Sequence, residues 1–248
     1  MSLPWKRCII VGASSGIGEA IAKRLAKQGV TVALVARRND ELLRVKSEVE
    51  AAGGHALVYP HDVANCTEVA ALFQQIAQDL GGLDLVVYAA GVMPIIEPNE
   101  YCLEKDLLNL QVNAIGAVAW LNEAAQRFER AQAGTIVGIS SVAGDRGRRG
   151  YPVYGATKAF LDNYLESLRN RVARFGVSVV TIKPGPVDTP MTRDIQKKPL
   201  LISADAAAEA IIAAAAGRKR LAYVPGTWRP IMFIIRNIPS FVFRKLNF

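Results

Sequence analysis

Short runs of apolar residues, rich in valine and isoleucine, alternate along the chain with longer stretches whose apolar positions recur every three to four residues. The first pattern suits a strand buried on both faces and the second a helix with one buried stripe, so the alternation predicts a parallel sheet with helices on both sides. Strands are expected at 7–12, 31–36, 55–60, 84–89, 134–139, 177–183 and 221–224, and helices near 17–28, 39–52, 66–80, 104–130, 152–175 and 204–216. No proline- or serine-rich linker and no internal repeat interrupts the series. Residues 1–226 therefore read as one doubly wound α/β domain with seven mainly parallel strands. Residues 227–248 fall outside the alternation and read as an extension rather than a second domain.

With 248 residues, 51% of them apolar, the chain can bury a full core, which excludes disordered, collagen-like and small disulfide-stapled classes. The formal charge of +8 raises the question of nucleic acid until its distribution is read. Residues 1–216 hold 23 basic and 22 acidic residues, whereas 217–248 hold seven basic residues and no acid. The excess belongs to the tail, so no nucleic-acid partner is expected. Three scattered cysteines and two histidines make a disulfide framework or a metal site improbable and suit a reducing compartment. Residues 1–7, Met1-Ser2-Leu3-Pro4-Trp5-Lys6-Arg7, do not resemble a signal peptide, and Arg236 splits the best apolar window, so neither export nor a spanning helix is expected. A cytoplasmic location follows.

The first expected strand runs into Gly12-Ala13-Ser14-Ser15-Gly16-Ile17-Gly18 and then a helix. Strand, glycine turn and helix in that order form a pyrophosphate site. Gly12 permits the tight turn, Gly16 lets backbone approach a diphosphate, and Gly18 lets the helix pack close with its positive end toward the ligand. An acidic residue about 20 positions further on would hold the ribose hydroxyls of NAD. Here Arg37 and Arg38 stand at that place, 19 and 20 residues beyond Gly18. Guanidinium groups bind a 2′-phosphate that a carboxylate would repel, so NADP(H) is the expected cofactor.

A second constellation begins with Ser140-Ser141 at the end of the fifth expected strand, followed by Tyr154-Gly155-Ala156-Thr157-Lys158 on a helix. The i,i+4 spacing sets Tyr154 and Lys158 on one face, where the ammonium is expected to lower the phenol's pKa from about 10. A tyrosine so tuned can exchange a proton with a substrate oxygen.

These motifs together resemble the short-chain dehydrogenase/reductase family over residues 6–226, which implies a Rossmann fold. Asn113 lies 28 residues before Ser141, and Ser141 lies 13 before Tyr154, matching the family's Asn-Ser-Tyr-Lys tetrad. The resemblance implies that Tyr154 is the acid/base, Ser141 binds the substrate oxygen, Lys158 holds the nicotinamide ribose, and Asn113 anchors a relay water. It also implies cofactor contacts from Asp62 and Val63 (adenine), Ala90 and Gly91, and the turn Pro184, Gly185, Val187 and Thr189. The chain departs from the family's Asn-Asn-Ala-Gly after strand four, where Tyr88-Ala89-Ala90-Gly91 stands, and local stability there is expected to suffer.

Tyr151 stands three residues before Tyr154 but lacks a lysine at i+4, so it is expected to line the cleft or pack. Three segments are expected around the substrate: apolar 92–96, the 142–151 loop with Arg146, Arg148 and Arg149, and 190–202, whose Lys197-Lys198-Pro199 suggests a mobile lid. The three arginines could attract an anionic substrate, or be solvated or face a subunit. Residues 228–248 combine an apolar face with a basic stripe, interrupted at Pro239. Two readings stay open for this tail: peripheral contact with anionic lipid, or burial against a partner subunit or over the cleft. The sequence thus implies an NADP(H)-dependent oxidoreductase acting on a small-molecule carbonyl or alcohol, as a homodimer or homotetramer. A non-catalytic nucleotide-binding regulator or scaffold is the alternative, and sugar-nucleotide epimerisation would need a larger C-terminal region.

Overall fold

The computed structural model describes residues 3–97, 99–195 and 198–246. Lys197, together with Met1, Ser2, Asn247 and Phe248, lies outside the described residues.

The elements alternate as the apolar pattern requires: β1 (Arg7–Val11), α1 (Gly16–Lys27), β2 (Thr31–Ala36), α2 (Asn39–Ala51), β3 (Ala56–Pro60), α3 (Val69–Asp79) and β4 (Leu85–Tyr88). They continue with α4 (Leu103–Leu110), α5 (Gly116–Ala131), β5 (Gly134–Ile139), α6 (Pro152–Val172) and β6 (Val177–Pro184). After these come β7 (Val187–Asp188), β8 (Ile202–Ser203), α7 (Ala204–Ala216), β9 (Leu221–Val224), α8 (Trp228–Asn237) and α9 (Ser240–Phe243). Seven strands form one parallel sheet in the order β3-β2-β1-β4-β5-β6-β9. The small β7–β8 pair was not expected, because two-residue strands carry no periodicity.

Both faces of the sheet are buried, and the pleat assigns alternate residues to each. In β1, Cys8 and Ile10 pack with Leu25 of α1, Val45 of α2 and Ile211 of α7. Their neighbours Ile9 and Val11 join Phe73 of α3, Trp120 of α5 and Leu165 of α6. Alanine-rich α7 is capped by Ser203, whose Oγ accepts from Ala206 N at 3.1 Å. Two charge-assisted bonds of 2.6 Å from Arg24 to Asp205 tie α7 to α1.

The expected helix over 104–130 is interrupted by a π turn, Gln111–Ile115, between α4 and α5. A one-residue insertion barely disturbs hydrophobic period, so the pattern cannot signal it. The buried Tyr88 phenol donates to the Val112 carbonyl inside this turn at 2.7 Å. Tyr88 thus supplies a polar tie at the position where the sequence led us to expect a weakened sheet. Tyr88→Phe leaves that carbonyl without its donor and is expected to destabilise the protein by about 1–3 kcal/mol. Urea unfolding measures it, and an unchanged midpoint would show the bond to be dispensable.

Candidate active site

The crevice opens at the carboxyl ends of the strands, where the order reverses between β1 and β4. Gly12 adopts φ +92°, and a Cβ there would lie 2.5 Å from Ala90 N, so the turn closes against the start of the β4 loop. A Cβ on Gly18 would lie 2.2 Å from the Gly12 carbonyl, which seats α1 directly on the loop. Ser15 precedes α1 without capping it. Its hydroxyl instead accepts from Arg38 Nη2 at 2.9 Å, and Ser14 Oγ accepts from the same nitrogen at 3.0 Å. Arg37 Nη1 stands 3.7 Å from Asp62 Oδ2. Two guanidinium groups therefore rim the glycine loop next to the helix N-terminus, a setting that favours phosphate.

Ser14, Ser15, Gly16, Ile17, Val63, Ala90, Gly91, Ser141, Tyr154, Lys158, Pro184, Gly185, Val187 and Thr189 line the same crevice, as do Gly12, Gly18, Arg37 and Arg38. Asp62 and Asn113 are not among the lining residues. Asp62 accepts from Ala64 N at 3.0 Å. Fully buried Asn113 sits in the π turn and clamps Val92, accepting from its N–H at 2.8 Å and donating to its carbonyl at 2.9 Å. Tyr151 precedes α6 outside the crevice lining.

Ser141 follows β5 and caps the 3-10 turn Val142–Asp145 by accepting from Ala143 N at 3.1 Å. The same hydroxyl is near enough to the Tyr154 phenol to favour its charged form. One turn along α6, the Lys158 ammonium lies 5.7 Å from the Tyr154 ring centroid and donates to the Ile139 carbonyl at 3.0 Å. The expected lowering of the Tyr154 pKa by Lys158 is corrected by the structure. Burial raises the phenol's pKa, and the offsetting influences come from Ser141 and the Arg148 guanidinium. Lys158 is itself so deeply buried that its pKa falls to about 8.

That burial has a measurable consequence. The ordinary lysine value is 10.5, so between pH 8 and 10.5 the unfolded chain holds a proton that the folded one has released. Stability associated with Lys158 is absent below pH 8 and rises through that window, by about 3 kcal/mol at most. Unfolding free energies of the wild type minus those of Lys158→Met isolate this slope from the thiols and tyrosines. A flat difference would contradict it.

The tail brings Trp228, which sequence reasoning missed, to the site, and the arginines of the 142–151 loop expected around the substrate reach the tail. Trp228 begins α8 against the Pro184–Gly185 turn, where a Cβ on Gly185 would lie 1.9 Å from the indole Nε1. Arg146 Nη1 donates to the carbonyls of Ile235, Arg236 and Ile238 at 3.0, 2.9 and 2.5 Å and thereby clamps the end of α8. Arg148 reaches Met232 Sδ at 3.9 Å. Beneath the Ser141 turn, Lys183 pairs with Asp145 and, at 2.8 Å, with Asp162, while Tyr223 donates to Asp145 at 2.8 Å. The two carboxylates hold the Lys183 pKa up despite burial. His61 also lines the crevice, edge-on to Trp120. Its place just before Asp62 was the available signal. Trp228 had none, and neither did the contact of Arg148 with Met232, because the partners are distant in sequence.

A family model described as short chain dehydrogenase matches residues 6–200. The chain belongs to this family. An uncharacterized oxidoreductase of Staphylococcus epidermidis is 34% identical over 75% of this chain and 80% of its own length. One from Myxococcus xanthus is 34% identical over 77% and 75%. Among solved structures, a short-chain type dehydrogenase/reductase from Mycobacterium ulcerans superposes with a TM-score of 0.82 at 26% identity, over 90% of this chain and 89% of that one. An actinorhodin polyketide ketoreductase variant with NADPH gives 0.79 at 26%, over 88% and 95%. Short-chain dehydrogenases are oxidoreductases that use nicotinamide cofactors. The residues of this chain fit such a group: besides the arginine-rimmed loop, a Cβ on Gly91 would stand 3.4 Å from both Asn113 Oδ1 and Lys158 Nζ, so glycine keeps the inner crevice open beside the ammonium.

Proposed function

We propose that the protein is an NADP(H)-dependent reductase of ketones or aldehydes, with apolar substrates favoured by Val92 and Met191 in the crevice wall. The observation carrying this reading is the half-buried Ser141–Tyr154 pair with Lys158 one turn away, in a crevice whose rim presents Arg37 and Arg38. The related ketoreductase with NADPH agrees with the cofactor choice.

NADPH, when bound, supplies the hydride. Ser141 Oγ orients the substrate oxygen toward Tyr154. The raised pKa of Tyr154 keeps the phenol protonated at neutral pH, as an acid must be to donate to that oxygen. Once the proton has left, the Ser141 hydroxyl and the Arg148 guanidinium stabilise the phenolate. Lys158 also holds the nicotinamide ribose. Asn113 fixes Val92 and keeps one Oδ1 lone pair for a relay water. Thr189 and the Pro184–Gly185 turn, which line the crevice, would hold the nicotinamide, and Val63 the adenine.

Leu103, Leu107 and Leu110 recur at helical spacing along α4 and are 71, 53 and 41% exposed, an apolar stripe suited to a second copy in a homodimer or homotetramer. Oxidation of NADPH and NADH against a panel of carbonyl compounds tests the function. Turnover with NADPH supports it; cofactor binding without turnover on any member favours the regulatory alternative.

A further inference from the structure

We propose that the outer face of the C-terminal tail docks on an anionic lipid bilayer. The tail has two sides. Its inner side is used by the protein itself: Trp228, Met232 and Ile235 pack on Val142, the residue after Ser141. Its outer side keeps Phe233 71% exposed, Ile234 65% and, beyond the break at Pro239, Phe241 62%. The helical apolar pattern read from sequence is thus divided between the molecule's own core and the solvent.

Two features identify the occupant. Arg229, Arg236, Arg244 and Lys245 are exposed on the same tail, and no acid occurs anywhere in 217–248. At 100° per residue Arg229 and Arg236 lie within about 60° of Phe233, so cations edge an apolar strip. That is the composition of an interfacial helix, whose rings enter the acyl boundary while its arginines meet lipid phosphates. A second copy is a poor partner for this face, because a two-fold contact would set these uncompensated cations against their own kind. Nucleic acid would meet the cations but gain nothing from Ile234. The face is also held in a fixed attitude. Arg146 grips the three carbonyls that end α8 and lies 4.1 Å over the Phe243 ring, so the strip is anchored to the catalytic turn.

The test is co-sedimentation of the full chain with vesicles of phosphatidylcholine alone or with one quarter phosphatidylserine, alongside light-scattering mass. Binding is expected on the anionic vesicles, weakened at least about tenfold at 1 M salt, where the screening length is about 3 Å. Phe233→Glu with Ile234→Glu should abolish it, and Arg229→Gln with Arg236→Gln should remove the preference for anionic lipid, both at unchanged mass. All these positions are solvent-exposed, and the second pair keeps the outcome readable if the first disturbs α8. Equal binding to neutral vesicles, wild-type binding by both variants, or a fall in mass in the glutamate variant would overturn the proposal, the last by assigning the face to a second copy.

Discussion

Tyr154→Phe is expected to lower kcat for carbonyl reduction by about 10²- to 10⁴-fold while NADPH still binds, because it deletes one hydroxyl and leaves the crevice otherwise intact. The half-buried phenol lies beside Ser141, and among the described residues no other side-chain acid interacts with that hydroxyl. Tyr151→Phe is expected to change kcat only a few-fold, since Tyr151 stands outside the crevice lining. Stopped-flow or steady-state NADPH oxidation separates the two variants. The reverse pattern, with Tyr151→Phe inactive and Tyr154→Phe active, would contradict the assignment.

The second large effect concerns the cofactor's 2′-phosphate. Arg37→Asp combined with Arg38→Ala removes two cations and adds a carboxylate at the outer rim. Charge-assisted hydrogen bonds contribute about 1.5–3 kcal/mol, so KM for NADPH should rise about 10- to 150-fold. KM for NADH should stay within a few-fold, because its ribose carries no phosphate to lose. Arg38 also tethers Ser14 and Ser15, so Arg37→Asp alone tests the charge without loosening the loop. Parallel losses for both cofactors would mean that the arginines support the loop rather than select the phosphate.

Where sequence reasoning succeeded, it did so because local pattern and chemistry coincide. The runs at Cys8–Val11 and Val177–Lys183 had to be buried on both faces, and the strands fall there. The spacing from Tyr154 to Lys158 had to bring both to one helical face, and they meet in the crevice. The failures share one physical origin, which is dependence on distant partners. The Tyr154 pKa is governed by burial and by Arg148 on a preceding loop, neither visible at i+4. The π turn that holds Asn113 is tied at Val112 by Tyr88, 24 residues upstream of that carbonyl. Of the two readings of the tail, packing beside the cleft is seen in Trp228 against Gly185, whereas Phe233, in solvent on the other side of the helix, bears only on the proposed lipid contact.

The central claim is a hydride transfer to a carbonyl carbon with Tyr154 giving the proton. Incubating the enzyme with NADPH deuterated at the transferred position and a ketone substrate, and reading the product by mass spectrometry, tests it most directly. The account expects one deuterium on the carbinol carbon, lost together with turnover in Tyr154→Phe. Alcohol formed without deuterium, or undiminished deuterium transfer by Tyr154→Phe, would contradict it.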